Sequence, residues 1–246
     1  VYDFNKINAL TQTHNGSREG FKLNTPQSYR NTDFQNLGDD KEKYRWNIQP
    51  KNHIARDDFA GVIAMSKAFS TSSADLDAAT QATMDMDSWL MTFALQSLIG
   101  NLDAYTVVAS THNLRLYTRP DNQKVMALPW DMDHLWMIAP NSVLHGHHYR
   151  NLTRIINLPN NLRRYYGILL DMIDTTFNSA YVTPWAQDQG KLVGRGYTGH
   201  VSYIQNRANY VTSQINSRAP QIPFAITTSD PLNVGNTSQA TITGSG

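Results

Sequence analysis

The segment from Asp85 to Ile99 constrains the fold more than any other part of the chain. On a helix, its apolar side chains cover most of the circumference instead of one stripe: Trp89, Leu90, Phe93, Leu95, Leu98 and Ile99. Such a helix is stable only when other elements cover it on nearly every side. Asp85 or Asp87 is a suitable N-cap, and Gly100 stands where a left-handed residue commonly ends a helix. The sequence therefore predicts a buried central helix over about 85–99.

A β-hairpin is predicted after this helix. Residues 112–119 and 124–129 are apolar-rich and flank the turn sequence Pro-Asp-Asn-Gln at 120–123. We expect β structure to be limited to this hairpin and to the tail after Pro220. A short helix that ends near Phe69 is also expected.

Two amphipathic helices are predicted in the second half of the chain. Apolar residues recur at helical spacing over about 160–180 and again over about 199–217. Their apolar stripes need a partner, and the central helix at 85–99 supplies one. The expected fold class is therefore α+β and mostly helical, with a small β-hairpin and a short β-rich tail.

Composition excludes several classes of protein. Of 246 residues, 40% are hydrophobic and 17% are charged, which is enough apolar material for a sizeable core. The formal net charge of +1 gives no broad field for nucleic acid, so no nucleic-acid partner is expected. The absence of cysteine excludes disulfides and cysteine-based metal sites. No apolar run approaches the roughly 20 residues that span a bilayer.

The last part of the chain differs from the rest in composition. Residues 224–246 carry one charge, Asp230, among many Thr, Ser, Asn and Gly. Strands are expected at 224–227 and 240–243. We divide the chain into a domain over 1–219 and, over 220–246, a linker with the start of a truncated β-module. Since the chain begins with Val rather than Met, we expect both ends to be cut from a longer protein.

Candidate functional residues follow one another in a suggestive order. Asp103 comes just after the central helix, Asn113 stands at the start of the hairpin, and Asp131 and Asp133 follow its second strand. Protein kinases order their phosphoryl-transfer groups in this way: a catalytic Asp, a metal-binding Asn, a short hairpin and a metal-binding Asp. On an extended segment the side chains of Asp131 and Asp133 would face the same way.

Each of these residues also has a purely structural interpretation. Asp103 is a turn residue beside a helix end, where an Asp commonly hydrogen-bonds to nearby backbone. Asn113 bonds neighbouring backbone in the same interpretation. One of Asp131 and Asp133 then caps the next turn while the other is solvated.

Other polar and aromatic residues also allow both a functional and a structural interpretation. His145, His147 and His148 form a histidine cluster without a nearby carboxylate, for which a loop is favoured over a transition-metal site. Trp130 and Trp136 are expected to be core anchors rather than stacking platforms.

The order and spacing of several short motifs resemble the CotH kinase-like proteins, atypical protein kinases named after a spore coat protein. The motifs are Asp-x-Asp-Ser-Trp-Leu-x-x-x-Ala-Leu-Gln-Ser-Leu (85–98), Gly-Asn-x-Asp (100–103), Asn-x-x-Leu-Tyr (113–117), Pro-Trp-Asp-x-Asp (129–133) and Tyr-Ile-x-x-Arg-x-x-Tyr-Val (203–211). The resemblance covers roughly residues 30–217 and implies the larger lobe of an atypical protein-kinase fold.

The resemblance implies roles for individual residues. Asp103 is similar to the catalytic-loop Asp, and Asn113 resembles its companion metal ligand, although ten residues separate the two. Asp131 resembles the Asp that holds metal against the phosphates, and Asp133 assists it. Mg²⁺ or Mn²⁺ and ATP are the implied cofactors. The implied setting is extracellular or at the cell surface, with an extracellular protein as substrate or assembly partner.

One departure from the family pattern bears on function. The β-rich small lobe that carries the nucleotide-binding Lys is not recognisable in residues 1–30. The retained Asp103, Asn113 and Asp131 favour an ATP-dependent kinase, whereas the missing lobe and the β-rich tail favour a non-catalytic surface, assembly or adhesion protein. A weaker alternative is a metal-dependent glycosyl transferase, since Asp-x-Asp also occurs there.

Overall fold

The computed structural model describes residues 2–3, 34–45, 48–102, 104–105, 114–144, 150–220, 225–226 and 244–245. Its described residues contain eight α-helices: α1 (Glu42–Arg45), α2 (Ala60–Phe69), α3 (Leu76–Thr83), α4 (Met86–Leu98), α5 (Arg150–Ile156), α6 (Pro159–Thr175), α7 (Ser179–Val193) and α8 (Thr198–Arg218). The described strands are β1 (Tyr2–Asp3), β2 (Gln49–Pro50), β3 (Leu114–Thr118), β4 (Val125–Pro129), β5 (Ala225–Ile226) and β6 (Gly244–Ser245). The fold is α+β and mostly helical. The chain forms two compact units, residues 1–211 and 212–246.

The central helix α4 begins and ends as its sequence predicts. The Asp85 carboxylate accepts a hydrogen bond from the Ser88 amide at 3.2 Å, which caps the N-terminus. Gly100, at φ +57°, ends the helix in the left-handed conformation. The helix is buried on most of its circumference, although Met91 is exposed. The prediction of a central buried helix is confirmed.

A cluster of aromatic side chains forms the core around this helix. Trp89 is fully buried and lies 5.7 Å, between ring centroids, from Phe69 and 5.6 Å from Phe93. Phe34 packs edge-on against Trp89 at 5.8 Å and also contacts Tyr105 at 5.4 Å. The segment from residue 34 is therefore anchored to the core by an aromatic side chain, because offset and edge-to-face rings attract one another.

The hairpin forms the outer half of a four-stranded antiparallel sheet. The strand order is β2-β1-β3-β4, and β3 pairs with β4 from Leu114 opposite Pro129 to Thr118 opposite Val125. The hairpin is confirmed, but the expectation that β structure stops there is wrong. β1 and β2 add two residues each, and strands of two residues are too short to leave a periodic pattern in sequence.

Helix α4 covers the free edge of β4. The Trp89 indole and the Asp85 amide both donate to the carbonyl of Val125, at 2.7 and 3.0 Å. The Thr92 hydroxyl donates to the Ala127 carbonyl at 3.0 Å. The Ala127 amide in turn donates to the Ser88 hydroxyl at 3.2 Å. The edge is therefore satisfied by α4 and by the residues just before it, where Met84 forms an isolated parallel bridge with Val125, and not by a full strand.

The later helices differ in part from their predicted bounds. The segment predicted as one helix over 160–180 contains the end of α6 at Thr175 and the start of α7 at Ser179. Asn178 separates them, since its side chain accepts from the Tyr181 amide at 2.8 Å and caps α7. α6 packs on α4, as expected, and α8 confirms the helix predicted over 199–217.

The second unit contains a small antiparallel pair. Ala225 pairs with Ser245 and Ile226 with Gly244. The first strand falls within the predicted 224–227, whereas the described second strand lies beyond the predicted 240–243, which are outside the described residues. Among the helices described, none has both the length and the apolar character needed to cross a bilayer.

We expect Thr92→Val to lower the free energy of unfolding by about 1–3 kcal/mol, because it keeps the side-chain shape but leaves the buried Ala127 carbonyl without its donor. The measurement is equilibrium unfolding in urea. Thr83→Val is the matched control, since the Thr83 hydroxyl bonds only a carbonyl of its own helix. Equal effects of the two substitutions would contradict the role given to the α4–β4 contact.

Candidate active site

The segment after β4 carries the two carboxylates singled out by the sequence. Asp131 is exposed and adopts a left-handed backbone with φ +55°. Asp133 has 67% of its side chain exposed and lies 3.7 Å from the His134 imidazole. The premise that Asp131 and Asp133 share one face of an extended segment is wrong, because the chain leaves the extended region at Asp131. Asp and Asn are the non-glycine residues that adopt this conformation most readily.

Hydrogen bonds join the helix-end loop (residues 99–102) to the post-hairpin loop (residues 130–138). The Leu102 amide donates to the His134 carbonyl at 3.0 Å, and the Asn101 side chain donates to the Asp131 carbonyl at 3.4 Å. Three further backbone bonds are Trp136 N to Ile99 O at 2.9 Å and Met137 N and Ile138 N to Gly100 O, both at 3.2 Å. The structure thus brings the chain beside Asp103 against the chain that carries Asp131 and Asp133.

Gly100 is the tightest point of this junction. A Cβ placed there would meet the Tyr203 hydroxyl at 2.0 Å and the Ile138 carbonyl at 3.3 Å. With a positive φ as well, the position accepts only glycine without strain. The Tyr203 hydroxyl is buried and has no hydrogen-bond partner among the described residues, and burial raises its pKa. Close packing, not hydrogen bonding, fixes Tyr203 against Gly100.

Trp136 holds the end of the post-hairpin loop by aromatic contacts. Its ring stacks on Phe177 at 6.4 Å and on His200 at 5.8 Å, and it meets Tyr203 edge-on at 5.2 Å, all measured between centroids. Its backbone is left-handed, with φ +63°. A bulky residue holds this conformation only where the surroundings over-determine it, as the stacked rings do here.

A buried arginine fixes the chain that follows the post-hairpin loop. Arg207 of α8 is 1% exposed, and its guanidinium donates to the carbonyls of Ser97, Pro140, Ser142 and Val143 and to the Ser97 hydroxyl. Burial lowers the pKa of Arg207 from its ordinary value. All five acceptors are uncharged, so Arg207 works as a multidentate donor that links the end of α4, residues 140–143 and α8.

A second buried group holds the same chain segment. The Tyr165 hydroxyl of α6 donates to the Leu144 carbonyl at 2.6 Å, and the Ser97 hydroxyl donates to the same oxygen at 3.0 Å. Burial raises the pKa of Tyr165 well above its ordinary value. Residues 140–144 are thereby tied to three helices, α4, α6 and α8.

Several of the residues predicted from sequence are not covered by the structure. Asp103, Asn113 and the histidines at 145–148 lie outside the described residues, so their predicted roles stay predictions. Trp130 is 48% exposed and carries the Arg115 guanidinium over its ring at 4.1 Å. The prediction of Trp130 as a core anchor is wrong, because the chain leaves the sheet at Pro129 and turns the indole toward solvent.

The described residues contain no group of three His, Asp or Glu side chains that could hold a metal ion by themselves. Asp131 and Asp133 supply two exposed carboxylates on one loop. Mg²⁺ typically keeps several waters and is bound through one or two carboxylates together with substrate phosphates. Asp131 and Asp133 therefore do not make a complete metal site by themselves in the part of the chain that the structure describes.

The fold and the site define an α+β domain whose helix-end loop and post-hairpin loop form an acidic junction beside a hairpin. Residues 2–223 match the model of the CotH kinase protein family. Because this match covers most of the chain, the chain belongs to the CotH kinase family. The match is wider than the 30–217 expected and takes in the N-terminal residues. Comparison with curated proteins and with solved structures gave no match.

Sequence reasoning missed the residues that hold this junction together. Arg207 appeared only as part of a motif, and Asn101 and Tyr203 received no role. One signal was present: Arg207 lies within the apolar stripe of α8, three residues after Ile204 and directly before Ala208. A charged residue in such a stripe is buried and needs several hydrogen-bond partners.

We expect Gly100→Ala to lower the free energy of unfolding by more than about 2 kcal/mol, from left-handed strain and the clash with Tyr203. Tyr203→Phe alone should stay within about 0.5 kcal/mol of the wild type or gain stability, since the hydroxyl has no partner to lose. The double variant should recover part of the loss, and urea unfolding of all four proteins measures the coupling. Gly167→Ala, in an open position of α6, should gain stability. Strict additivity at 100 and 203 would contradict the contact.

We expect Arg207→Lys to destabilise the protein by about 2 kcal/mol or more, although it keeps the charge. An ammonium group has three donors and cannot match the planar fork that serves acceptors from four residues. Thermal and urea unfolding measure the loss, with Arg163→Lys on the exposed face of α6 as the control. A wild-type unfolding curve for Arg207→Lys would show that these bonds contribute little.

Proposed function

We propose that this chain is a secreted or surface-exposed CotH-like atypical protein kinase domain, which transfers a phosphoryl group from Mg-ATP to protein hydroxyls. In this proposal Asp103 orients the acceptor hydroxyl. Asn113, Asp131 and Asp133 hold the divalent ion, Mg²⁺ or Mn²⁺. Membership of the CotH kinase family supports the kinase-like class.

The observation that carries the proposal is the bond from the Leu102 amide to the His134 carbonyl at 3.0 Å. Leu102 directly precedes Asp103 in the chain, and His134 directly follows Asp133. Phosphoryl transfer depends mostly on positioning and charge stabilisation, so a kinase site needs its acceptor-orienting and metal-binding segments fixed against each other. The paired loops support the proposal, because they fix the chain next to Asp103 against the chain that carries Asp131 and Asp133.

The chemistry divides between the chain and its cofactors. When bound, the divalent ion neutralises charge on the phosphates. The chain itself positions the ligands of the ion. Asp131 and Asp133 present carboxylate oxygens from the post-hairpin loop, which Trp136 holds in place. Arg207 holds the segment that follows this loop. The Asn101 side chain donates to the Asp131 carbonyl and so helps to hold the backbone that carries this carboxylate.

The setting of the reaction is also part of the proposal. A family named after a spore coat protein supports an extracellular or cell-surface location, and the absence of cysteine is compatible with it. An extracellular protein is then the substrate or the assembly partner.

A second candidate function is a non-catalytic structural, assembly or adhesion protein that reuses the fold. The exposed face of α7 favours it. Tyr181, Trp185 and Leu192 share one side of this helix and are 47%, 60% and 78% exposed. Aromatic and aliphatic side chains grouped on one exposed face are typical of surfaces that bind other proteins.

We expect Mg²⁺-dependent transfer from radiolabelled ATP to a general acceptor such as casein, at a low rate because the family's lysine-bearing lobe is not recognisable in residues 1–30. Asp131→Asn should lower that rate at least about tenfold, because it removes one negative charge from the side chains that hold the ion. Asn suits this substitution, since it adopts the left-handed backbone of Asp131 as readily as Asp does.

The control is Asp171→Asn, an exposed carboxylate on α6 that should leave the rate unchanged. Mn²⁺ binding, followed by water-proton relaxation, gives an independent measurement and should weaken in Asp131→Asn only. Equal transfer by wild type and Asp131→Asn would exclude the proposed site. Absence of transfer together with absence of Mn²⁺ binding would favour the structural role.

A further inference from the structure

A cavity of about 590 Å³ lies between α7, the turn after it and the first turn of α8. Its volume falls within the range of roughly 300–1,000 Å³ that is typical of small-molecule sites. It is built from residues 183–202, which do not include the helix-end or post-hairpin loops. The lining residue Tyr197 stacks on His200, which also stacks on Trp136 of the post-hairpin loop, so binding in the cavity has to be measured directly and not through kinase activity.

Glycine residues shape the turn that borders this cavity. The Arg195 amide donates to the Gly190 carbonyl at 3.0 Å, and Gly194 turns the chain with φ +65°. A Cβ at Gly190 would meet the Arg195 carbonyl at 2.5 Å, so the turn requires glycine at that position. Gly196 also lines the cavity without a side chain to fill it. The turn at residues 194–196 therefore lies close against Gly190 at one side of the cavity.

The lining combines a flat apolar surface with one unneutralised cation. Tyr197 lines the cavity, and its ring is held by stacking on His200 at 5.4 Å. Ala186 and Val201 add small apolar surfaces. Of the two cations in the lining, Lys191 is paired with Asp188 at 3.2 Å, whereas the guanidinium of Arg195 has no ion-pair or hydrogen-bond partner in the part of the chain that the structure describes.

We propose that the α7–α8 cavity binds a small molecule with a flat apolar body and one anionic group, the body lying against Tyr197 and the anion beside Arg195. A ring stacked on tyrosine gains from apolar burial and offset π contact. Arg offers a planar fork of donors that matches carboxylate, sulfonate or phosphate oxygens. Charge complementarity therefore selects an anion over a neutral molecule of the same shape.

The test uses 8-anilino-1-naphthalenesulfonate as the probe and N-phenyl-1-naphthylamine as its uncharged counterpart, titrated by fluorescence without nucleotide or metal. We expect saturable binding of the sulfonate at one site per chain. Arg195→Gln should weaken it about tenfold, as loss of a charge-assisted contact implies, and change binding of the uncharged probe less than about twofold. Arg163→Gln, an exposed arginine outside the cavity lining, is the charge-matched control and should change neither.

Substitutions that fill the cavity distinguish probe binding in the cavity from probe binding at other apolar surfaces, such as the exposed face of α7. Ala186→Trp and Ser202→Trp each place an indole in the lining, and both should abolish binding of both probes. Since Ser202 is exposed, its variant should fold even if the Ala186 variant does not, and circular dichroism checks each protein. Unchanged sulfonate binding in a folded Trp variant, equal effects of Arg195→Gln and Arg163→Gln, or no saturable binding would overturn the proposal. None of these outcomes depends on kinase activity.

Discussion

The sheet, the aromatic core and the candidate-site loops all depend on the contact between α4 and the edge strand β4. Trp89, Thr92 and Ser88 bond the outward carbonyl and amide groups of Val125 and Ala127, so that one helix closes the sheet. An unpaired edge would otherwise expose backbone groups to other chains. The same helix carries aromatic core residues on its other sides. Because α4 contacts both the sheet and the other helices, a displacement of α4 would disturb the packing of both.

The ends of α4 and β4 determine where the two loops of the candidate site begin. The helix-end loop continues α4 and the post-hairpin loop continues β4, so the α4–β4 contact already places their starting points side by side. The Leu102–His134 bond and the close packing of Gly100 then extend the pairing into the loops. Under the proposed function, the positions of Asp131 and Asp133 depend on backbone packing some distance from their carboxylates.

Sequence patterns predicted the elements whose stability is local or strongly periodic. Asp85, Gly100 and the hairpin turn carry capping and turn signals, and the stripe over 199–217 has a clear helical period. The two-residue strands β1 and β2 leave no such pattern. The left-handed backbone at Asp131 and the exposed position of Trp130 could not be predicted either. They depend on contacts made between residues far apart in the chain, the Asn101 and Arg115 side chains among them.

The hydrogen bonds of the buried Arg207 have a consequence for stability at acidic pH. A buried cation paired with a carboxylate loses its partner once the acid protonates. The acceptors of Arg207 are carbonyl and hydroxyl oxygens, which do not titrate, and an arginine keeps its proton throughout the neutral and acidic range. Its lowered pKa affects linkage only at alkaline pH, where the unfolded side chain would hold its proton longer than the folded one. The hydrogen bonds that Arg207 makes to Ser97 and to residues 140–143 are therefore retained in acid, whereas ion pairs to surface carboxylates weaken there.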